Sequence, residues 1–139
     1  MNKVTLLPAD IYQVINKSLL SEMDKLVLNM LYMPIIGNTS VTLYNILYNE
    51  LKANNYISSE LTHHHLMTNL GDTLENIKEA RIKLEGVGLM KTYVKEGNVN
   101  SYVYELYNGF TADFWVIYVV YLSSCIRIST FCLLEPNII

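Results

Sequence analysis

Residues 61–107 carry, in order, the local signals for a helix, a tight turn, a second helix and two short strands. That order narrows the folds open to the chain more than any other feature. The stretch Leu61-Thr-His-His-His-Leu-Met-Thr-Asn-Leu70 is followed by Gly71-Asp72-Thr73 and then by a charged, periodic run from Leu74 to Gly86. Gly71 can take the left-handed conformation that ends a helix, and Asp72 can cap the next one. Glu75, three residues after Asp72, comes close to a capping box with Asp in the Ser/Thr place. Leu74, Ile77, Ala80, Arg81, Leu84 and Val87 keep helical spacing with one charged break, and Gly86 and Gly88 stop the run. Residues 89–94 and 99–107 are rich in β-branched and aromatic side chains, with Lys95-Glu-Gly-Asn98 as the turn between them. The expected fold is a winged helix: mainly α with a small β wing, occupying residues 1–110.

The totals fit that size. With 139 residues the chain can bury a core without staples. Hydrophobic residues make up 51% and charged ones 17%, the net charge is −3 and the pI about 5.5. A domain living on DNA phosphates carries a basic surplus, so this balance weighs against strong autonomous DNA binding. Cys125 and Cys132 form no framework with each other or with histidines, which suits a reducing cytoplasm, and no secretory signal is visible at the start.

Upstream of the motif, Pro8 biases Leu7 away from helix, so residues 6–15 are expected to be extended or mixed. Ser21 reads as an N-cap, followed by Met23, Leu26, Val27, Met30 and Leu31 as the buried face of a helix that Pro34 and Gly37 close. A helix over residues 39–52 is apolar around most of its circumference and should be central, with Asn54-Asn55 ending it. Ser58 or Ser59 can cap the helix that bears the histidines. Residues 111–139 form an atypical apolar tail in which Arg127 is the only charge between Phe114 and Leu134. That stretch approaches the roughly 20 residues of a bilayer span, but Arg127 and the serines weaken the case and no basic flank fixes an orientation.

The three consecutive histidines invite a metal reading, but neighbours on a helix diverge by about 100° and cannot converge on one ion. Two exposed histidines and one packed beneath the turn are expected instead, with no metal. No nucleophile–base pair, phosphate-cradling glycine loop or carboxylate pair stands out, so no catalytic residue, no cofactor and no enzyme activity are expected. Candidate contacts to DNA or a partner are Lys78, Arg81 and Lys83 on the second motif helix and Lys91, Tyr93 and Lys95 on the wing. Glu75, Glu79 and Glu85 balance the first set, and Glu96 and Glu105 the second. The wing tyrosines suit base stacking, hairpin packing or a protein interface alike.

Several stretches together resemble one family. Leu6-Leu-Pro8, Leu20-Ser21 with Asp24, Leu31-Tyr32 with Pro34 and Ile36-Gly37, Leu43-Tyr44 through Leu51, Thr62-His-His-His-Leu-Met67, Glu79-Ala-Arg-Ile-Lys-Leu-Glu-Gly-Val-Gly-Leu-Met-Lys-Thr-Tyr93 and Tyr104-Glu-Leu-Tyr107 are laid out as in one protein family of low-GC Gram-positive bacteria. It is that of the replication initiation and membrane attachment protein, called DnaB there and distinct from the replicative helicase. The resemblance covers about residues 1–108. It implies an N-terminal winged-helix domain that self-associates within a primosomal protein. It also implies work with a DnaD-like protein, a helicase-loader ATPase and the replicative helicase, with DNA affinity residing mainly in later domains. The 111–139 tail departs from the pattern, as a truncation or a frameshift would make it. Any codons for Asp113-Phe-Trp-Val-Ile117, read two bases later, encode Phe or Leu, then Leu-Gly, then Asp, Asn, His or Tyr. The competing readings are a winged-helix DNA-binding transcription regulator and a small membrane-attached protein.

Overall fold

The chain enters the fold through a strand whose side chains alternate between the core and the far face. The computed structural model describes residues 4–16, 19–51 and 56–108; the 111–139 tail and Asn54-Asn55 lie outside the described residues, and the helix expected to run to residue 52 ends earlier, at Asn49 with Glu50 as its C-cap. Strand β1 (Ile11–Asn16) buries Tyr12, Val14 and Asn16 and leaves Ile11, Gln13 and Ile15 half-buried. Ahead of it, the Asp10 carboxylate accepts the Leu7 N–H at 2.9 Å and closes a turn through Pro8.

Ser21 caps α1 (Glu22–Val27). Its hydroxyl accepts the Asp24 N–H at 3.1 Å while the Asp24 carboxylate accepts the Ser21 N–H at 2.9 Å, a reciprocal box. The helix then widens into one π-helical turn (Leu28–Tyr32) and returns to α geometry in α2 (Met33–Ile36). Pro34 therefore does not close the helix as its sequence position suggests. Proline has no N–H and its ring crowds the carbonyl four residues back. The wider turn, in which the Met33 N–H reaches back to the Leu28 carbonyl, makes room for both. Gly37, at φ 88°, ends it.

The buried side of this helix also differs from expectation. Met23, Leu26 and Met30 are 65%, 51% and 64% exposed, with Val27 and Leu31 half-buried, whereas Leu20, Asp24, Leu28, Tyr32 and Ile36 face the core. The helix is apolar on both sides, so periodicity alone cannot choose. The capping box turns Asp24 inward, and the Tyr48 hydroxyl accepts the Leu20 N–H at 3.2 Å, which fixes the rotation.

Helix α3 (Asn38–Asn49) is central as expected, burying Ser40, Val41, Leu43, Tyr44 and Leu47. Then come β2 (Leu61–Thr62), α4 (His63–Leu70), α5 (Leu74–Gly86), β3 (Met90–Lys95) and β4 (Ser101–Leu106). Two caps shift. Thr62 caps α4, because a short strand intervenes and Ser58 is buried with its Oγ accepting the Val14 N–H at 2.8 Å. Thr73, not Asp72, caps α5 by accepting the Asn76 N–H. Asp72 sits one residue outside, accepting the Thr73 N–H at 2.8 Å and the Asn76 amide, so Glu75 falls one place short of a reciprocal box. Gly71 takes the left-handed conformation at φ 67°, ψ 33°, as its place between the helices predicts. The row Ile77, Ala80, Leu84 is buried, also as predicted.

The sheet is larger than a two-strand wing. Its order is β2-β1-β4-β3, with β3 and β4 antiparallel as the hairpin and β1 running parallel to β4 from Ile11 opposite Ser101 to Asn16 opposite Leu106. One sheet face, carrying Tyr12, Val14, Tyr102, Tyr104 and Leu106, closes against Leu43, Tyr44, Leu47, Leu66, Ile77 and Leu84 from the helices. The result is a mostly helical winged helix with a small mixed sheet.

Candidate functional site

In a winged helix that reads DNA, the second motif helix enters the major groove and the wing approaches phosphate. Helix α5 meets this role with an unhelpful surface. At about 100° per residue, Lys78 and Lys83 fall on opposite flanks of its outer side. Between them lie Glu75, Glu79 and Ile82, all exposed, with Ile82 at 52%. Carboxylates thus lead the face that would meet phosphate.

Arg81, the third basic candidate on α5, points inward. Its side chain is only 15% exposed, with Nε 3.5 Å from Glu85 Oε1 and the guanidinium 5.8 Å from the centre of the Tyr102 ring. Glu85 also accepts a hydrogen bond from the Thr92 hydroxyl, tying α5 to β3. Ser40 Oγ donates to the Ala80 carbonyl at 3.3 Å and holds α5 on α3.

The wing candidates sit elsewhere. Strand alternation puts Lys91, Tyr93 and Lys95 on the sheet face opposite the one that buries Met90, Tyr102 and Tyr104. Lys91 Nζ lies 5.3 Å from the centre of the Tyr93 ring, and the Tyr93 hydroxyl donates to Glu105 Oε2 at 3.1 Å. The Tyr107 hydroxyl donates to the same oxygen at 2.8 Å, and chiefly for that reason its pKa is pushed up to about 12. Lys83, Lys91 and Lys95 are exposed and Lys78 half-buried. The six residues therefore divide into one inward cation, two flanking lysines and a wing cluster around a carboxylate. They do not form one basic face.

What the fold does bring together is a polar seam that sequence reasoning missed. His63 is fully buried, whereas His64 and His65 are exposed, the division expected for the triplet. His63 Nδ1 lies 2.7 Å from the Asp10 carbonyl oxygen and Nε2 lies 2.6 Å from the Tyr104 hydroxyl. A carbonyl only accepts, so the proton sits on Nδ1 and Tyr104 donates to Nε2. Burial keeps the imidazole neutral by lowering its pKa below the ordinary value, against the raising effect of Asp10. Tyr12, Tyr102 and Tyr104 surround the ring at 5.1–5.8 Å between centroids. Alongside, the Tyr12 hydroxyl donates to both Glu50 carboxylate oxygens at 2.9 and 2.7 Å, and burial raises the pKa of each partner. The His64 N–H reaches the Pro8 carbonyl at 3.0 Å. Three stretches quoted for the family resemblance, at Pro8, at the histidines and at Tyr104, thus meet in space. That convergence is the one signal by which this seam could have been found.

Among the described residues, no three His, Cys, Asp or Glu side chains are grouped to hold a metal ion, and no helix is long and apolar enough to cross a membrane. The exposed chemistry of α5 and the wing is that of a mixed polar and apolar contact surface: Ile82, Tyr93, Val94 and Val99 are each 43–52% exposed among alternating charges.

Comparison with known proteins bears on this surface. A family model described as the DnaB N-terminal winged helix domain matches residues 6–123, running past residue 110. The chain is 31% identical over 100 residues to the replicative helicase loading/DNA remodeling protein DnaB of Staphylococcus aureus (strain NCTC 8325 / PS 47). That alignment covers 71% of this chain and 22% of that protein. A crystal structure of primosome protein DnaB (residues 1–300) from Geobacillus stearothermophilus matches with a TM-score of 0.69 at 35% identity, covering 81% of this chain and 44% of that one. The chain thus spans less than half the length of either relative.

Proposed function

This chain belongs to the DnaB N-terminal winged helix domain family, and from that premise we propose that it is a non-catalytic interaction module of a primosome. It takes part in replication initiation by associating with itself and with the proteins that load the replicative helicase. The names of its relatives, a helicase loading/DNA remodeling protein and a primosome protein, support the setting. The observation that carries the role is the outer side of α5, where Glu75, Glu79 and Ile82 lie between Lys78 and Lys83 while Arg81 turns inward. A surface so arranged gains little from phosphate, since each carboxylate offsets a cation and the counterion release it would bring. Exposed aliphatic and tyrosine side chains among charges are instead the make-up of a protein contact.

Partners in this reading are a second copy of the chain, a DnaD-like primosomal protein, the loader ATPase and the helicase. Duplex DNA is held weakly, membrane contact is left to the 111–139 tail, and the setting is the cytoplasm. Sedimentation velocity of the full chain at micromolar concentration tests the core of it, with fluorescence anisotropy on duplexes of unrelated sequence at physiological salt. The expected outcome is self-association together with DNA binding no tighter than about 10⁻⁶ M and without sequence preference. A strictly monomeric protein overturns the self-association, and a sequence-dependent nanomolar complex replaces the reading with that of a transcription regulator.

A further inference from the structure

Strand β3 closes one side of the sheet, and among the described residues it pairs with β4 alone. Its outward N–H and C=O groups form an open edge six residues long, a template on which another extended chain can add a strand. That edge is held ready. The Thr92 hydroxyl donates to Glu85 on α5. The turn of the hairpin is fastened where the Asn100 N–H reaches Asp10 Oδ1 at 3.2 Å and the Gly97 N–H reaches Asn100 Oδ1 at 3.3 Å. An incoming strand thus meets a template already ordered, which lowers the cost of binding.

The side chains on the edge decide what that strand must carry. Lys91, Tyr93 and Lys95 are exposed and leave the sheet on one face at alternate positions. Four residues separate the lysines, roughly 13 Å along a strand, with the Tyr93 ring between them. The strand itself, Met90-Lys-Thr-Tyr-Val-Lys95, has no carboxylate. Glu105, directly opposite Lys91 on β4, is only 5% exposed and accepts from the Tyr93 and Tyr107 hydroxyls, so it lies behind the edge. Lysines on an edge repel a basic strand and favour an acidic one. A second copy of this chain fits poorly. Another β3 brings two more lysines, and residues 56–62, on the opposite side of the sheet, hold a single carboxylate, Glu60.

We infer that the β3 edge binds an extended acidic segment of a partner protein as a further strand. Two carboxylates four positions apart lie over Lys91 and Lys95, and an apolar side chain between them lies against Tyr93. Backbone pairing supplies the affinity, and the two charge pairs select the sequence. The inference rests on the reading of α5 and the wing as a protein contact surface, and gives the wing's share of it a partner chemistry.

The probe is the fluorescein-labelled peptide Thr-Thr-Glu-Thr-Ile-Thr-Glu-Thr-Thr, with a counterpart in which both Glu are Lys. Each is titrated with the whole chain in fluorescence anisotropy at low and at physiological salt. The Glu peptide is expected to bind saturably, more weakly as salt rises, and the Lys peptide not to bind. The double variant Lys91→Gln, Lys95→Gln should weaken the Glu peptide roughly 2- to 30-fold, with the circular dichroism of the fold unchanged. The double variant Lys91→Glu, Lys95→Glu should take the Lys peptide instead. Saturating Glu peptide should slow amide hydrogen exchange, followed residue by residue by NMR, within residues 90–95. A Glu peptide that does not bind, that binds no better than the Lys peptide, or that is indifferent to both double variants overturns the inference. So does binding that leaves exchange in residues 90–95 unchanged. Oligothymidylate held through the two lysines when the peptide is not assigns them to phosphate and also overturns it. None of these outcomes alters the self-association read by sedimentation velocity, so failure here is separable from failure of the wider reading.

Discussion

Replacing His63 by Phe should lower the stability of the domain by about 2–4 kcal/mol at neutral pH, against the roughly 5–15 kcal/mol that holds a domain together. The ring is fully buried, and Phe preserves an aromatic shape among Tyr12, Tyr102 and Tyr104. The loss therefore comes from hydrogen bonds. The Tyr104 hydroxyl loses its imidazole acceptor, and the Asp10 carbonyl loses the Nδ1 proton while keeping the His63 backbone N–H at 3.0 Å. A buried donor left without its acceptor costs about 1–3 kcal/mol; the Tyr104 O–H, whose oxygen keeps its Arg81 contact, bears most of that and Asp10 a part. With a urea dependence of about 1–3 kcal/mol per molar, the unfolding midpoint should fall by roughly 0.7–4 M.

The pH dependence gives a second, independent readout. Burial depresses the pKa of His63 in the folded chain, so the unfolded chain takes up the proton first as pH drops below 6.5. Wild-type stability then declines by at most about 1.4 kcal/mol per pH unit until the folded-state value is reached. The Phe variant lacks this loss, and Glu50 contributes to both proteins alike, so the gap between the two midpoints should narrow with acid. His64→Ala, on the exposed neighbour, should stay within about 0.5 kcal/mol. Urea melts of the three proteins across this pH range decide the matter. A Phe variant as stable as wild type, or a gap that widens as pH falls, refutes the buried, neutral, doubly bonded histidine.

Leu84→Asp should abolish the cooperative thermal transition. Leu84 is completely buried, losing such a side chain costs about 2–5 kcal/mol, and an unpaired buried carboxylate adds several more. Ser21→Ala should lower stability by about 1 kcal/mol and the melting temperature by about 4–8 °C, because it removes one arm of the reciprocal cap on α1. An unchanged melting temperature there would mean that the box is decorative.

The parts of the fold legible in the sequence are those written in short-range signals. Gly71 ending α4, the row Ile77, Ala80, Leu84 and the hairpin between β3 and β4 each depend on residues close together in the chain. The pairing of β1 with β4 depends on residues about ninety positions apart, and nothing in residues 11–16 names the partner strand. The rotation of α1 was hidden for another reason: Met23, Leu26 and Met30 satisfy the helical period as well as Leu20, Leu28 and Tyr32 do, and only contacts with Tyr48 and the inward Asp24 break the tie. At the candidate surface, the charge balance of α5 was readable from composition. The inward turn of Arg81 was not, because it arises from Tyr102 and Glu85 lying beside it in space.

The parallel seat of β1 against β4 sets the order in which this protein can be born. Among the described strands the one made first is bonded along its length by the one made last, and until then it has only an interrupted antiparallel pairing with residues 56–62. At the ribosome's pace of about 5–20 residues per second, residues 11–16 wait roughly 5–20 s between leaving the peptidyl-transferase centre and the synthesis of their partner. During that interval Tyr12 and Val14 have on one edge only the partial pairing with residues 56–62, through β2, the Ile15–Ile57 bridge and the Ser58 contacts to Val14, and nothing on the other. Nascent chains halted before Ser101 should therefore be open to protease at their N-terminal segment and bound by chaperones, while chains that have released Leu106 should resist both.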